Sequence, residues 1–172
     1  MSALIGGLLQ PLAVPAHILA LLVFGLLVGQ QRAAFLTWAA FVAGLAAGLA
    51  AIAFAVGQTP AVDVLLAATA LAGTLVALAR PLPILVAMAL TAVAGLALGL
   101  DSPPETISVA AGRAMLVGTW IGASLVLALV ATGASYLTLW WQRLGTRIVG
   151  SWIAASAILV LALRFARGLM FD

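Results

Sequence analysis

Up to Asp63 the chain carries one formally charged side chain, Arg32. The same economy continues to the C-terminus, with charges standing at the ends of long apolar runs and rarely inside them. Crossing the hydrocarbon layer of a bilayer takes about 20 apolar helical residues, with a working range of about 17 to 25. Six segments meet that length, at residues 12–29, 34–57, 61–79, 82–100, 113–139 and 147–168. The sequence therefore predicts an all-α fold, a polytopic bundle of about six membrane-spanning helices forming a single integral membrane domain over residues 1–172. With 66% of residues hydrophobic, 6% charged and a mean hydropathy of +1.33, the chain has too few polar side chains to solvate a globular surface. The lipid bilayer is its first expected partner.

Several function classes fall away. The pI of about 11.2 comes from seven arginines set against four acids. No basic stripe runs beside aromatic residues, so nucleic acid is not an expected partner. Cysteine is absent, which removes disulfides, thiolate metal sites and thiol redox chemistry. There is no serine, histidine and acid set, no phosphate-binding glycine loop and no acid pair within a helix, so an enzyme is not expected. Met88 and Met115 alone make a poor copper site, and no resident cofactor is expected. The first residues lack a positive n-region, so the first apolar run reads as retained rather than cleaved.

The breaks between segments have local causes. Gly29-Gln30-Gln31-Arg32 ends the first run. Thr59 reads as an N-cap with Pro60 at the first position of the next helix. Arg80-Pro81-Leu82-Pro83 reads as a tight reversal, and Ser102 and Glu105 have capping-box spacing. Connections one, three and five carry Arg32, Arg80, Arg143 and Arg147 and no acid, which favours the cytoplasmic side for them and the opposite side for both termini. Arg113, Arg164 and Arg167 pull the other way. Trp38, Trp140, Trp141 and Trp152 fall near the arginine-bearing connections, as interfacial anchors do. Four pairs of glycines at four-residue spacing, Gly25 and Gly29, Gly44 and Gly48, Gly95 and Gly99, Gly118 and Gly122, allow close helix contact within one bundle or between copies.

Near the N-terminus, Gln10-Pro11-Leu12 followed by Ala16-His17-Ile18-Leu19-Ala20 resembles the first signature of the HupE/UreJ family of hydrogenase and urease accessory membrane proteins. That signature has histidine, proline and leucine, then aspartate and histidine before an apolar helix. Pro11, Leu12, His17 and Ala20 match, whereas Gln10 stands at the first histidine and Ala16 at the aspartate. Ala94-Gly95-Leu96-Ala97-Leu98-Gly99-Leu100-Asp101 is similar to a second signature, with Gly95, Ala97, Gly99 and the acidic Asp101 kept. Ala94 and Leu98 replace its two histidines. The resemblance implies an integral protein of the bacterial inner membrane that moves nickel, cobalt or another small solute, with a metal site reduced to His17, Asp101 and Gln10. It equally accommodates a non-transporting subunit or assembly protein that keeps the bundle, with a homo-oligomer or a membrane protein as partner. Imidazole suits nickel and carboxylate oxygen can join it, but one histidine cannot rebuild the full ligand set.

Each polar candidate has a structural reading beside its functional one. His17 fits an interfacial histidine bonded to a backbone carbonyl freed by the prolines, or a surviving metal or proton site. Asp101 fits a loop residue or a companion of His17. Glu105 fits a capping partner of Ser102, Asp63 the favourable end of a helix dipole, and Arg113 a partner of Asp101 or Glu105. The serines and threonines within the helices are expected to hydrogen-bond between helices.

Overall fold

The computed structural model describes residues 2–54, 61–80, 82–104 and 108–171, with side chains of Ser2 and of residues 167–171 excepted. Thr59, Pro60, Pro81, Glu105 and Asp172, and the side chain of Arg167, lie outside it, and with them the expected cap at Thr59 and any role of Glu105. The described chain is all α. Its helices are α1 (Ser2–Ala13), α2 (Pro15–Gly29), α3 (Ala34–Ala53), α4 (Ala61–Leu78), α5 (Ile84–Leu100), α6 (Val109–Ser135) and α7 (Trp140–Phe171).

The first expected span, 12–29, is not one helix. Pro15 disfavours helical backbone at the residue before it, and Val14 is extended, with φ −102° and ψ 117°. Pro15 then serves as the first residue of α2, where its missing N–H costs nothing. The axes of α1 and α2 meet at 76°. The N-terminal stretch 2–13, not expected as a helix, is one, and Pro11 lies within its last turn.

Four helices, α3, α4, α6 and the 140–166 part of α7, are long and apolar enough to cross a membrane, and the bent α1/α2 pair brings the number to five. The expectation of about six is not confirmed by length and composition, because α5 has 17 residues, short of the 18 residues that the other spans reach.

Helix α2 is the axis of the bundle and touches every other helix. It has no polar face: Ala20, Leu21, Val23, Phe24, Leu27 and Val28 are all buried, as expected for a helix that is apolar all round. Phe41 and Leu45 of α3, Leu65 of α4, Leu98 of α5 and Leu127 of α6 complete the core. Chain direction divides the molecule into two ends. Gly29, Ala79, Arg80, Ser135 and Arg143 gather at one. Asp63 and Arg164 meet at the other, with Arg164 Nε donating to Asp63 Oδ1 at 2.6 Å. Asp63 lies in the first turn of α4, as expected. Its ion pair neutralises one of the arginines that opposed the charge asymmetry of the connections.

Helix association in lipid lacks a hydrophobic drive and relies on close packing. The spaced glycines supply it inside this chain. A Cβ on Gly44 would collide with the carbonyl oxygen of Ala92, and one on Gly95 with that of Phe41, so α3 and α5 meet backbone to backbone. Gly118 and Gly122 do the same for α6 against Leu4 and Leu8 of α1. Of the hydroxyls, Thr91 bridges to the Thr37 carbonyl at 3.0 Å and Thr119 to Gln10 at 2.7 Å. Thr74 and Ser135 bond within their own helices instead. Trp38 is not only an interfacial anchor, since its indole N–H donates to the Ser124 carbonyl of α6 at 3.2 Å.

Replacing Gly95 by leucine should destabilise the protein in detergent by about 3 kcal/mol or more, since backbone cannot yield as a side chain can. Gly133→Ala, where a Cβ meets nothing within 4 Å, should stay within about 1 kcal/mol of the parent or stabilise it. Thermal unfolding in one detergent separates the two.

Candidate functional site

The site forms where the α1/α2 break faces the end of α5. His17 sits in the first turn of α2, three residues after the extended Val14, and is completely buried. Asp101 caps the C-terminus of α5, its N–H bonded to the Ala97 carbonyl at 3.0 Å. The two side chains meet, His17 Nε2 to Asp101 Oδ2, at 2.9 Å. Asp101 retains 20% exposure, so the pair spans the boundary between the core and the outside.

Gln10 approaches from α1. Its Oε1 accepts the Thr119 hydroxyl at 2.7 Å, and its Nε2 makes a long contact with the carbonyl of Pro103 at 3.5 Å. One face of the amide thus touches α6 and the other the segment just after Asp101. Sequence reasoning named Gln10, His17 and Asp101, and the fold joins His17 directly to Asp101 while bringing Gln10 to Pro103. Thr119 was expected to bridge helices but not to belong to the site. It arrives there because Gly118 and Gly122 seat α1 on α6.

The structure chooses between the readings of His17 and Asp101 and changes that of Ser102. The partner of His17 is a carboxylate from α5, not a backbone carbonyl freed by proline. Asp101 is not a plain loop residue. Ser102 is buried and donates its hydroxyl back to Leu98 O of its own helix at 2.8 Å, so it closes α5 rather than opening α6. Arg113 makes no ion pair among the described residues and is exposed.

The chemistry follows from donor and acceptor roles. An ionised carboxylate only accepts, so Nε2 carries the proton toward Asp101. In the neutral ring Nδ1 then keeps its lone pair, and it is buried with no hydrogen-bond partner among the described residues. A carboxylate holding one ring nitrogen while the other stays free is the arrangement that orients histidine toward a metal. Asp101 therefore suits the role of an orienting partner. Among the described residues no group of three or more His, Asp or Glu side chains stands close enough to hold a metal ion.

The positions of the missing histidines have a different fate. Ala94 and Leu98 are both fully buried and belong to the main apolar core. The second signature survives as backbone, with Gly95 and Gly99 fitting α5 against α3.

A family model, HupE / UreJ protein, matches residues 1–160. The chain belongs to the HupE/UreJ family. No curated protein and no solved structure gives a significant match to it. For a HupE/UreJ protein, the α1/α2 break carries the first signature and the end of α5 the second, so the contact of His17 with Asp101 joins the two.

His17→Ala leaves the partly buried Asp101 unpartnered and should cost about 2–4 kcal/mol, within the range for breaking buried polar pairs. Asp101→Asn keeps an acceptor for Nε2–H and should cost about 1 kcal/mol or less. Unfolding in mixed micelles orders the two; equal effects would contradict the assigned hydrogen-bond direction.

Proposed function

We propose that this HupE/UreJ protein is a small permease for a divalent metal cation of the nickel and cobalt type, working through a site reduced to one imidazole. The observation that carries the reading is Nδ1 of His17, fully buried near a helix break, without a hydrogen-bond partner among the described residues, and with Asp101 holding the other ring nitrogen. A buried unsatisfied nitrogen costs about 1–3 kcal/mol, so retaining it speaks for a ligand. Interrupted helices are tolerated at membrane depth where protein shields them or where they line a cavity, and transporters place their ion sites at such interruptions. Nickel and cobalt bind imidazole well, with amide and carboxylate oxygens as weaker companions. A weak site suits passage, which needs release as much as binding.

In this reading the bent α1/α2 pair counts as one span and α5 as another. Its 17 residues rise about 25 Å, which gives six spans in all. A helix that short against a hydrocarbon layer of about 30 Å draws Asp101 inward from the interface. The arginine-bearing end faces the cytoplasm by the positive-inside rule, in a bacterial inner membrane, and the protein has no enzymatic step.

The second reading is a non-transporting subunit or accessory protein, and the burial of Ala94 and Leu98 favours it. Both histidine positions of that signature are now core packing. Nickel and cobalt accumulation in cells expressing the chain decides between the two. The permease should raise uptake above empty-vector cells, and His17→Ala should abolish the rise at equal membrane abundance. Gln10→Ala should lower it several-fold. Absence of uptake, together with a membrane protein recovered stoichiometrically in mild detergent, would establish the accessory role.

A further inference from the structure

The opposite end of the bundle holds two adjoining cavities of contrasting chemistry. The first, of about 320 Å³, lies where α2, α4, α6 and α7 end or begin, and Arg80, Arg143, Gln30, Ser135, Thr138 and Thr146 supply its polar lining. The second, of about 420 Å³, opens on the flank of the bundle and is apolar, with Leu22, Leu26, Val130, Val149 and Trp141 around it. Leu137 and Thr146 line both, so the basic cleft lies directly beside the apolar groove.

We propose that this pair of cavities binds an anionic glycerophospholipid, its phosphate between Arg80 and Arg143 and an acyl chain along the groove. Charge favours it. Neither guanidinium makes an ion pair among the described residues, and both described carboxylates, Asp63 and Asp101, are engaged at the other end. Arginine matches phosphate oxygens in a two-pronged geometry, and basic pockets between membrane helices on the cytoplasmic side take anionic headgroups. Position favours it as well. Trp141 is 58% exposed beside the groove, as aromatic side chains are at the headgroup level. A soluble phosphate would use the cleft and leave the groove without a role; a lipid fills both. The site is separate from His17 and Asp101 and does not depend on transport.

The test uses the full chain, delipidated in neutral detergent, with bound lipid read by native mass spectrometry. Phosphatidylglycerol offered at the same concentration as phosphatidylcholine should be retained in clear excess. Arg80→Gln and Arg143→Gln should each cut that preference about fivefold, near the effect of one basic residue at a membrane surface, and the double variant should abolish it. Arg80→Lys should restore part of it. Millimolar inorganic phosphate and glycerol phosphate should leave the lipid bound. Equal retention of the two lipids, or an unchanged preference in the double variant, would overturn the proposal. Displacement of the lipid by either soluble phosphate would overturn it in favour of a free-phosphate site. Headgroup preference and competition are read on the unmodified protein, so they decide the matter even where a variant fails to fold.

Discussion

Hydrocarbon offers no water to a backbone that leaves its helical hydrogen bonds, so an interruption inside a membrane protein must be enclosed by protein. Here the interruption is at Val14, between Pro11 and Pro15, and the rest of the bundle encloses the turns of α2 that follow it, while Leu12, Ala13 and Pro15 beside it stay exposed. Helix α2 buries His17, Ala20, Leu21, Val23, Phe24, Gly25, Leu27 and Val28 and is touched by every other helix. Helix α1 lies across α6, and its Gln10 side chain joins Thr119 of α6. The two sides of the break are thereby tied to the bundle, α1 through Gln10 and α2 through His17, which Asp101 holds.

That enclosure depends on backbones approaching closely. Glycines at positions 44, 48, 95 and 99 let α3 and α5 meet along their backbones, which sets where α5 ends and so where Asp101 stands. Gly7, Gly118 and Gly122 set the depth of α1 on α6 in the same way. The family's second signature makes the distinction plain. Its glycines still shape the packing, while the histidine positions, Ala94 and Leu98, have become core.

Charge is segregated along the bundle. Asp63, Asp101 and Arg164 share one end, where both acids are paired. Arg80 and Arg143 share the other, which holds no described carboxylate and adjoins an apolar groove. The two ends therefore present different chemistry to whatever approaches them, a buried imidazole at one and free guanidinium groups at the other.

The amino-acid sequence by itself determined the helical membrane class, the family and most helix positions, and it singled out Gln10, His17 and Asp101 as candidates, because apolar run length, proline and glycine placement and short signatures act locally. It also contained the cause of the α1/α2 break, since Pro15 acts on Val14. Yet residues 2–11 belong to no expected helix, because the first segment long enough to span is read at 12–29. Only the tertiary structure decided that His17 is buried against Asp101 rather than bonded to backbone. It alone also turned Ser102 back onto α5, brought Thr119 to Gln10 and set a basic cleft beside an apolar groove. Those outcomes rest on contacts between residues as far as 109 positions apart, and contacts at that range are set by how glycine-lined helices seat against one another, which no local pattern records.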